Sequence, residues 1–208
     1  MIGFYNYTVV LTYIGVAVSM AGMNLACHGK YEYAIFCLVI ATICDAFDGK
    51  VARTKKDRTT EMKKFGVQID SLCDLICFGM SPVVLSYQIG LNKVWGICIG
   101  IFFVLCGVIR LAYYNVLEEM KELDPSLAEA EKVYHGLPIT TIGVIYPLVF
   151  ISYRYVTRHT FIYVIAAMHT IVGCLYIIDF KLKRPKDGVI AVGMLTMIVL
   201  VMHLLHII

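Results

Sequence analysis

Four aspartates are the residues of this chain whose type and spacing could do chemistry. Asp45 and Asp48 are three residues apart, and Asp70 and Asp74 are four residues apart, so each pair lies on one face of a helix. Both pairs are flanked by long apolar runs, where an ionised side chain is costly and usually functional. Two carboxylate pairs on adjacent antiparallel helices would hold two divalent ions, and hard oxygen ligands suit Mg²⁺ or Mn²⁺. The spacing therefore predicts a two-metal site that can clamp a diphosphate.

The residues around these aspartates form a longer pattern. It reads D-x2-D-G-x2-A-R, a spacer, then G-x3-D-x3-D, with fixed positions at Asp45, Asp48, Gly49, Ala52, Arg53, Gly66, Asp70 and Asp74. This pattern resembles the signature of the CDP-alcohol phosphotransferase family. The alternative is that the acids merely form ion pairs with nearby Lys and Arg residues. Solvated loop acids would not fall inside apolar helices, so the pattern favours a functional site.

The resemblance implies a reaction and a role for each position. The donor would be a CDP-linked lipid or alcohol, whose substituted phosphoryl group is transferred with release of CMP. The metal ligands would be Asp45, Asp48, Asp70 and Asp74. Asp74 would also take the proton from the acceptor hydroxyl as the catalytic base. The CDP moiety would be bound by Asp48, Gly49, Ala52, Arg53 and Gly66.

Three further stretches resemble the phosphatidylserine synthase branch of that family. Residues 65–82 continue the second aspartate pair as this branch does, residues 110–115 are similar to its R-L-A-R-F-N segment, and residues 136–138 are similar to its G-L-P turn. The substrates implied are CDP-diacylglycerol and L-serine. Tyr113 departs from the branch, which usually has a second arginine at that position. The resemblance extends from the first apolar run to about residue 150.

Arg110 is the candidate residue for binding the acceptor. A guanidinium matches a carboxylate through two parallel hydrogen bonds, and a zwitterionic acceptor needs a cation for its carboxylate. The alternative is that Arg110 pairs with one of the four aspartates or extends to the membrane interface. Glycerol phosphate or inositol phosphate would undergo the same chemistry, but a phosphorylated acceptor would want a further basic cluster that the helices do not supply.

A cation transporter is the alternative from a different class of protein, because acids inside a membrane also line ion pathways. Such a carrier should contain internal repeats and broken helices near the membrane midplane. No repeat is visible, and the acids cluster at one face. A purely structural membrane protein would gain nothing from four buried acids.

The composition indicates an integral membrane protein. The 208 residues are 60% hydrophobic and 16% charged, whereas a soluble domain carries about 25% charge. Several uncharged runs approach or exceed the roughly 20 residues that cross a bilayer. We expect an all-α bundle of six to seven transmembrane helices forming one domain over residues 1–208, with the core motif at 45–74 and a basic loop plus an extra span at 179–208. The eight cysteines are expected to be reduced packing residues.

The apolar runs predict seven spans, with approximate bounds Tyr7–Cys27, Tyr31–Asp48, Phe65–Leu91, Val94–Val116, Leu137–Tyr153, Phe161–Ile178 and Val189–Ile208. The first run lacks the basic start of a cleavable signal and is longer than its apolar region. Asp45 and Asp48 would occupy the last turn of span 2, and Asp70 and Asp74 would lie one and two turns inside span 3. Residues 118–132 would form a cytoplasmic connecting helix. Asn6 and Thr8 would cap the first helix or reach into the site.

The distribution of basic residues predicts the orientation in the membrane. With the N-terminus inside, the outer segments hold only four of the 18 Lys and Arg residues, namely Lys30, Lys93, Arg154 and Arg158. The positive-inside rule then places the aspartates at the cytoplasmic face of the cell membrane. The partners expected are the lipid bilayer and the two substrates, with no nucleic acid. The resemblance also implies a homodimer.

Overall fold

The computed structural model describes residues 3–4, 7–55, 57, 59–123 and 133–183. Its helices are α1 Val10–Cys27, α2 Tyr31–Thr54, α3 Thr60–Asp74, α4 Ser81–Ile89, α5 Val94–Leu123, α6 Ile142–Ile151 and α7 Arg158–Ile177. A π-helical segment, Leu75–Met80, joins α3 to α4 without a break. Short 3₁₀ turns lie at Tyr7–Val9, Ile139–Thr141 and Ser152–Arg154. Strand β1, Val133–His135, pairs antiparallel with β2, Lys181–Lys183. This small ladder aside, the predicted all-α architecture is confirmed.

The chain is a multi-pass membrane protein. Among the described residues, four helical stretches are long and apolar enough to cross a bilayer: Tyr7–Cys27, Thr60–Ile89, Val94–Met120 and Arg158–Ile177. A shorter apolar stretch runs over Ile139–Arg154. Helix α2 is 24 residues long but carries Glu32, Asp45 and Asp48 among its apolar residues. The count of six to seven spans stays a prediction, and the predicted seventh span lies outside the described residues.

Several helices extend beyond the predicted membrane spans. Helix α2 continues six residues past Asp48 to Thr54, so the first aspartate pair lies inside the helix rather than in its last turn. Helix α3 begins at Thr60, five residues earlier than predicted, which places Asp70 and Asp74 nearly three and four turns from its start. The hydroxyl of Thr59 caps this start by accepting a hydrogen bond from the Met62 amide at 3.3 Å. Residues 118–123 continue α5, and the rest of the predicted connecting helix, residues 124–132, lies outside the described residues.

Helices α1 and α2 pack closely because α1 presents small residues to its neighbour. Its buried residues include Gly15, Ser19 and Gly22, spaced along one face. A Cβ atom added at Gly22 would lie 2.8 Å from the Cβ of Cys37, and one added at Gly15 would lie 3.7 Å from the Cβ of Cys44. Small residues at such a contact let two backbones approach closely inside a membrane. This contact sets the position of α2, which carries the first aspartate pair.

The core lies among α2, α4, α5, α6 and α7. Its largest fully buried side chains include Phe78, Phe103, Tyr146, Phe150 and Phe161. The Tyr146 hydroxyl lies 2.8 Å from Oγ of Ser86, which in turn donates to the carbonyl of Pro82, so this buried polar pair is satisfied. The eight cysteines are free thiols, and four of them, Cys44, Cys73, Cys77 and Cys106, are buried. These four fit the predicted packing role.

The residues predicted to lie outside are gathered at one end of the bundle. Arg154 forms an ion pair with Glu32 at 3.3 Å, and Nε of Arg158 donates to the carbonyl of Ile89 at 2.8 Å. The Tyr31 hydroxyl donates to the carbonyl of Gln88 at 2.8 Å. These contacts join the start of α2, the end of α4 and the start of α7. The aspartates therefore lie toward the opposite end of the helices.

Candidate active site

Three of the four aspartates come together between α2 and α3. Carboxylate oxygens of Asp45, Asp70 and Asp74 all lie within 4.8 Å of one another. Asp45 lies within hydrogen-bonding reach of Asp74, and Asp48 within reach of Asp70. The later residue of one pair thus faces the earlier residue of the other, as two antiparallel helices require. Asp48 lies beside Asp70, at the edge of the group that the other three aspartates form.

Asp48 is held by a residue that the sequence analysis did not identify. The Thr12 hydroxyl donates to Oδ2 of Asp48 across 3.1 Å, and the exposed fractions of the two residues are 9% and 8%. The hydrogen bond crosses from α1 to α2, so the first helix also takes part in the site. Thr8 is buried one turn before Thr12. Two threonines four residues apart in an apolar span are the signal that could have pointed to this face.

The residues expected to bind the CDP moiety continue the two helices past the aspartates. A Cβ atom added at Gly49 would meet no atom within 4 Å, which leaves open space beside Asp48. The two aspartate pairs that face each other set the register between α2 and α3. In this register, Ala52 lies opposite Gly66, one turn beyond Asp48 and Asp70. Arg53 lies in α2, and its side chain lies outside the described residues.

The carboxamide of Asn115 on α5 forms hydrogen bonds to two residues of α3. The Ser71 hydroxyl donates to Oδ1 of Asn115 at 2.7 Å, and Nδ2 of Asn115 donates to Oε1 of Gln68 at 3.2 Å. Gln68 and Ser71 are one turn apart on α3, so Asn115 spans that turn. In the sequence, Asn115 is recognisable only as the last residue of the family segment 110–115, and its role is visible only in the fold.

Arg110 lies in a separate cavity on the α7 side of α5. The residue is 6% exposed, and its guanidinium carbon lies 4.6 Å from the centroid of the Tyr114 ring. The cavity has a volume of about 260 Å³ and is lined by Ile109, Arg110, Tyr113, Tyr114, Tyr176, Ile177, Ile178 and Asp179. None of the four aspartates lines it. The predicted acceptor residue and the carboxylates thus belong to two neighbouring regions.

The predicted G-L-P turn has a structural role beside this cavity. Gly136 adopts a φ of 69°, a backbone conformation that favours glycine. A Cβ atom there would lie 3.0 Å from Nη1 of Arg110 and 3.0 Å from the carbonyl oxygen of Ile178. The turn therefore packs against the guanidinium of Arg110. Glycine is favoured at position 136 both by the positive φ and by the lack of room for a side chain.

The carboxylate cluster fits a divalent ion. Its donors are all oxygen atoms, which suit Mg²⁺ or Mn²⁺ better than the softer metals that prefer Cys and His. Three carboxylates within 4.8 Å of one another repel each other unless a cation or protons lie between them. The open space at Gly49 also leaves room for substrate phosphates, which Mg²⁺ sites commonly include.

The fold and this cluster define a membrane protein with an acidic site between two of its helices. Comparison with known families agrees in detail, because the CDP-alcohol phosphatidyltransferase model matches residues 5–173. The chain belongs to that family. The predicted family is thereby confirmed, and membership favours group transfer over the transporter alternative.

Individual relatives are similar over shorter stretches. The chain is 37% identical over 116 residues to the CDP-diacylglycerol–serine O-phosphatidyltransferase of Saccharomyces cerevisiae, covering 54% of this chain and 40% of that protein. It is 33% identical over 121 residues to the archaetidylserine synthase of Methanothermobacter thermautotrophicus, covering 58% and 47%. With the Bacillus subtilis CDP-diacylglycerol–serine O-phosphatidyltransferase it shares 28% identity over 164 residues, covering 78% and 79%. The chain spans less than half the length of the first two relatives.

Proposed function

We propose that this protein transfers the phosphatidyl group of CDP-diacylglycerol to the hydroxyl of L-serine, giving phosphatidylserine and CMP. The observation that carries the proposal is the meeting of Asp45, Asp70 and Asp74 within 4.8 Å on two helices of a membrane protein of this family. The names of the yeast and Bacillus relatives support L-serine as the acceptor. The whole of residues 1–208 would serve this activity as one domain.

The metal and nucleotide would be bound by the two facing helices. Two divalent ions, Mg²⁺ or Mn²⁺, would be held by Asp45, Asp48, Asp70 and Asp74. When bound, such ions neutralise the diphosphate and stabilise charge on the attacking and leaving oxygens. Thr12 would keep the Asp48 carboxylate directed at the site. The cytidine and its phosphates would lie over Gly49, Ala52, Arg53 and Gly66, where small residues leave the two helices open.

Asp74 is the proposed base. The serine hydroxyl oxygen would form a bond to the phosphorus of the phosphatidyl group as the bond from that phosphorus to the CMP oxygen breaks. The hydroxyl proton would pass to a carboxylate oxygen of Asp74, and CMP would leave with the electron pair. A positioned general base contributes on the order of 10²- to 10⁴-fold to the rate.

Arg110 would bind the carboxylate of serine. Antiparallel contacts place it at the depth of Asp74: a Cβ at Gly107 would lie 3.9 Å from Leu75 Cδ1, and Asn115 bonds Ser71. Arg110 lies between these two levels of α5. Asp179 also lines this cavity, and its carboxylate would suit the ammonium group of an amino acid. A guanidinium that binds a carboxylate through two hydrogen bonds supplies both charge and orientation.

The remaining proposals concern location and assembly. Only four of the 18 Lys and Arg residues fall in the segments predicted to be outside, so the aspartates would face the cytoplasm from the cell membrane. That orientation would give the site access to soluble serine and to CDP-diacylglycerol in the inner leaflet. The protein would act as a homodimer in the bilayer.

A panel of acceptors tests the function. Purified protein would be supplied with CDP-diacylglycerol, Mg²⁺ or Mn²⁺ and one of L-serine, glycerol 3-phosphate, inositol phosphate or water, and CMP release would be measured. We expect release with L-serine alone, its loss on adding a chelator in excess, and its return with either ion. Release of CMP with a phosphorylated acceptor but not with serine would show that the phosphorylated compound, and not serine, is the acceptor. Undiminished release in chelator would remove the metal mechanism.

The Arg110→Lys and Arg110→Gln variants locate the acceptor. Lysine keeps the charge but not the paired geometry of the guanidinium. If Arg110 binds serine, both variants should raise KM for serine at least tenfold and leave KM for CDP-diacylglycerol within twofold. Equal changes in both KM values would assign Arg110 a structural role instead.

A further inference from the structure

The contact between Asn115 and α3 matters because few side chains of that helix are buried. Cys73 is the one buried residue among those of α3, whereas α4, which continues the same rod, buries six of its nine residues. Inside a membrane, helices associate through the van der Waals packing of buried side chains and through hydrogen bonds between helices. The two hydrogen bonds that join Asn115 to Gln68 and Ser71 are therefore among the contacts that orient α3.

The π-helical segment between α3 and α4 increases this dependence. Its hydrogen bonds close over five residues instead of four, so the faces of α3 do not continue directly into the faces of α4. The firm packing of α4 in the core consequently does not dictate which way α3 faces. The rotation of α3 has to be set by contacts of its own, and Asn115 supplies two of them one turn apart.

The rotation of α3 decides whether the carboxylates meet. Side-chain tips lie about 5–6 Å from a helix axis, so a rotation of about 20° moves a carboxylate by about 2 Å. The oxygens of Asp45, Asp70 and Asp74 now lie within 4.8 Å, and Mg²⁺ demands nearly ideal geometry. A shift of that size would separate Asp70 and Asp74 from their partner on α2.

We propose that Asn115 is a positioning residue, which holds α3 at the rotation where Asp70 and Asp74 face Asp45 and so sets the affinity of the cluster for a divalent ion. The inference rests on the proposed function only in taking the cluster as the metal site. Asn115 itself need not touch metal or substrate, because it bonds the side of α3 that carries Gln68 and Ser71.

Two variants of similar size separate the hydrogen bonds from the volume of the side chain. Asn115→Leu keeps the volume and removes both hydrogen bonds. Asn115→Asp keeps an acceptor for the Ser71 hydroxyl. It can also accept a hydrogen bond from the Gln68 side-chain NH2 group when that amide flips. Binding of Mn²⁺ to the purified full chain, without substrate, would be measured by electron paramagnetic resonance. Thermal unfolding of each variant would be followed in parallel.

We expect Asn115→Leu to weaken Mn²⁺ binding at least tenfold and Asn115→Asp to stay within threefold of the unaltered protein. Phe150→Leu, at the far end of the bundle, is the control that lowers stability without touching α3, and it should bind Mn²⁺ normally. If Asn115→Leu does not fold, Ser71→Ala removes one of the two hydrogen bonds and should weaken binding at least threefold.

Three results would overturn the inference. Normal Mn²⁺ affinity in Asn115→Leu, or in Ser71→Ala where that variant replaces it, would refute the positioning role and leave the proposed function intact. Equal weakening in Asn115→Leu and Phe150→Leu would reduce Asn115 to a stability contact. No Mn²⁺ binding to the unaltered protein would overturn the metal site and this inference together.

Discussion

The Thr12 hydroxyl donates to Oδ2 of Asp48 across 3.1 Å, and this buried hydrogen bond joins α1 to the carboxylate cluster on α2 and α3. Since α1 packs closely on α2 through small residues, the position of the Thr12 hydroxyl relative to Asp48 is fixed by this helix contact. The first helix is thereby part of the site rather than only an anchor in the membrane.

Thr12→Val should lower kcat/KM for CDP-diacylglycerol on the order of 10- to 100-fold, because a hydrogen bond to a charged group contributes about 1.5–3 kcal/mol. Thr12→Ser keeps the hydroxyl and should retain most of the activity. Steady-state CMP release at several donor concentrations measures both. Full activity in Thr12→Val would show that Asp48 is held without this bond.

Asp74→Asn and Asp45→Asn should fail in different ways. Asp45→Asn should weaken both donor binding and turnover, since Asp45 would help to hold the ions that bind the diphosphate. Asp74→Asn should lower turnover on the order of 10²- to 10⁴-fold while donor binding stays measurable. A thermal-shift titration with CDP-diacylglycerol and metal reports binding, and CMP release reports turnover. Equal loss of donor binding in both variants would make Asp74 chiefly a ligand, and the base would have to be sought elsewhere.

The orientation of the protein is tested by cysteine labelling. In a background where the exposed Cys27, Cys98 and Cys174 are replaced by serine, Asp57→Cys should react with an impermeant maleimide only from the cytoplasmic side. Lys93→Cys should react only from outside, because the two positions lie at opposite ends of the helices. Labelling in intact cells and in inverted vesicles distinguishes the sides. The reversed pattern would place the aspartates on the outer face.

Gly143→Ala should destabilise the bundle. The new methyl group would run into Oγ1 of Thr42 and lie 3.1 Å from its Cβ, so α6 would be pushed away from α2 one turn before Asp45. Overpacking of this kind costs about 1–3 kcal/mol. Thermal unfolding in detergent measures the loss, and adding Thr42→Ala should restore part of it. Unchanged stability in Gly143→Ala would mean that α6 can move away from α2 without loss of packing energy.

The aspartate pairs were predictable because helical periodicity and apolar flanks are local properties of the chain. Helix ends were not, because hydropathy marks where a helix is apolar rather than where it stops. Residues 50–54 carry two charged side chains and residues 60–64 carry three, and these residues nevertheless extend α2 and α3 toward the water. The roles of Thr12 and Asn115 were also missed. Their partners are 36 and 44 residues away in the chain, and no periodicity reports a contact at that distance.

The π-helical segment Leu75–Met80 sets the rotation of α3 relative to α4 about their common axis. It accommodates one residue more than an uninterrupted α-helix would over the same rise. Deleting a single residue there would turn one half against the other by about 100°. Either the aspartates would then face their partners on α2 or the apolar side of α4 would face the core, but not both. The length of this short stretch thus couples the carboxylate cluster at one end of the helix to the packing of the core at the other.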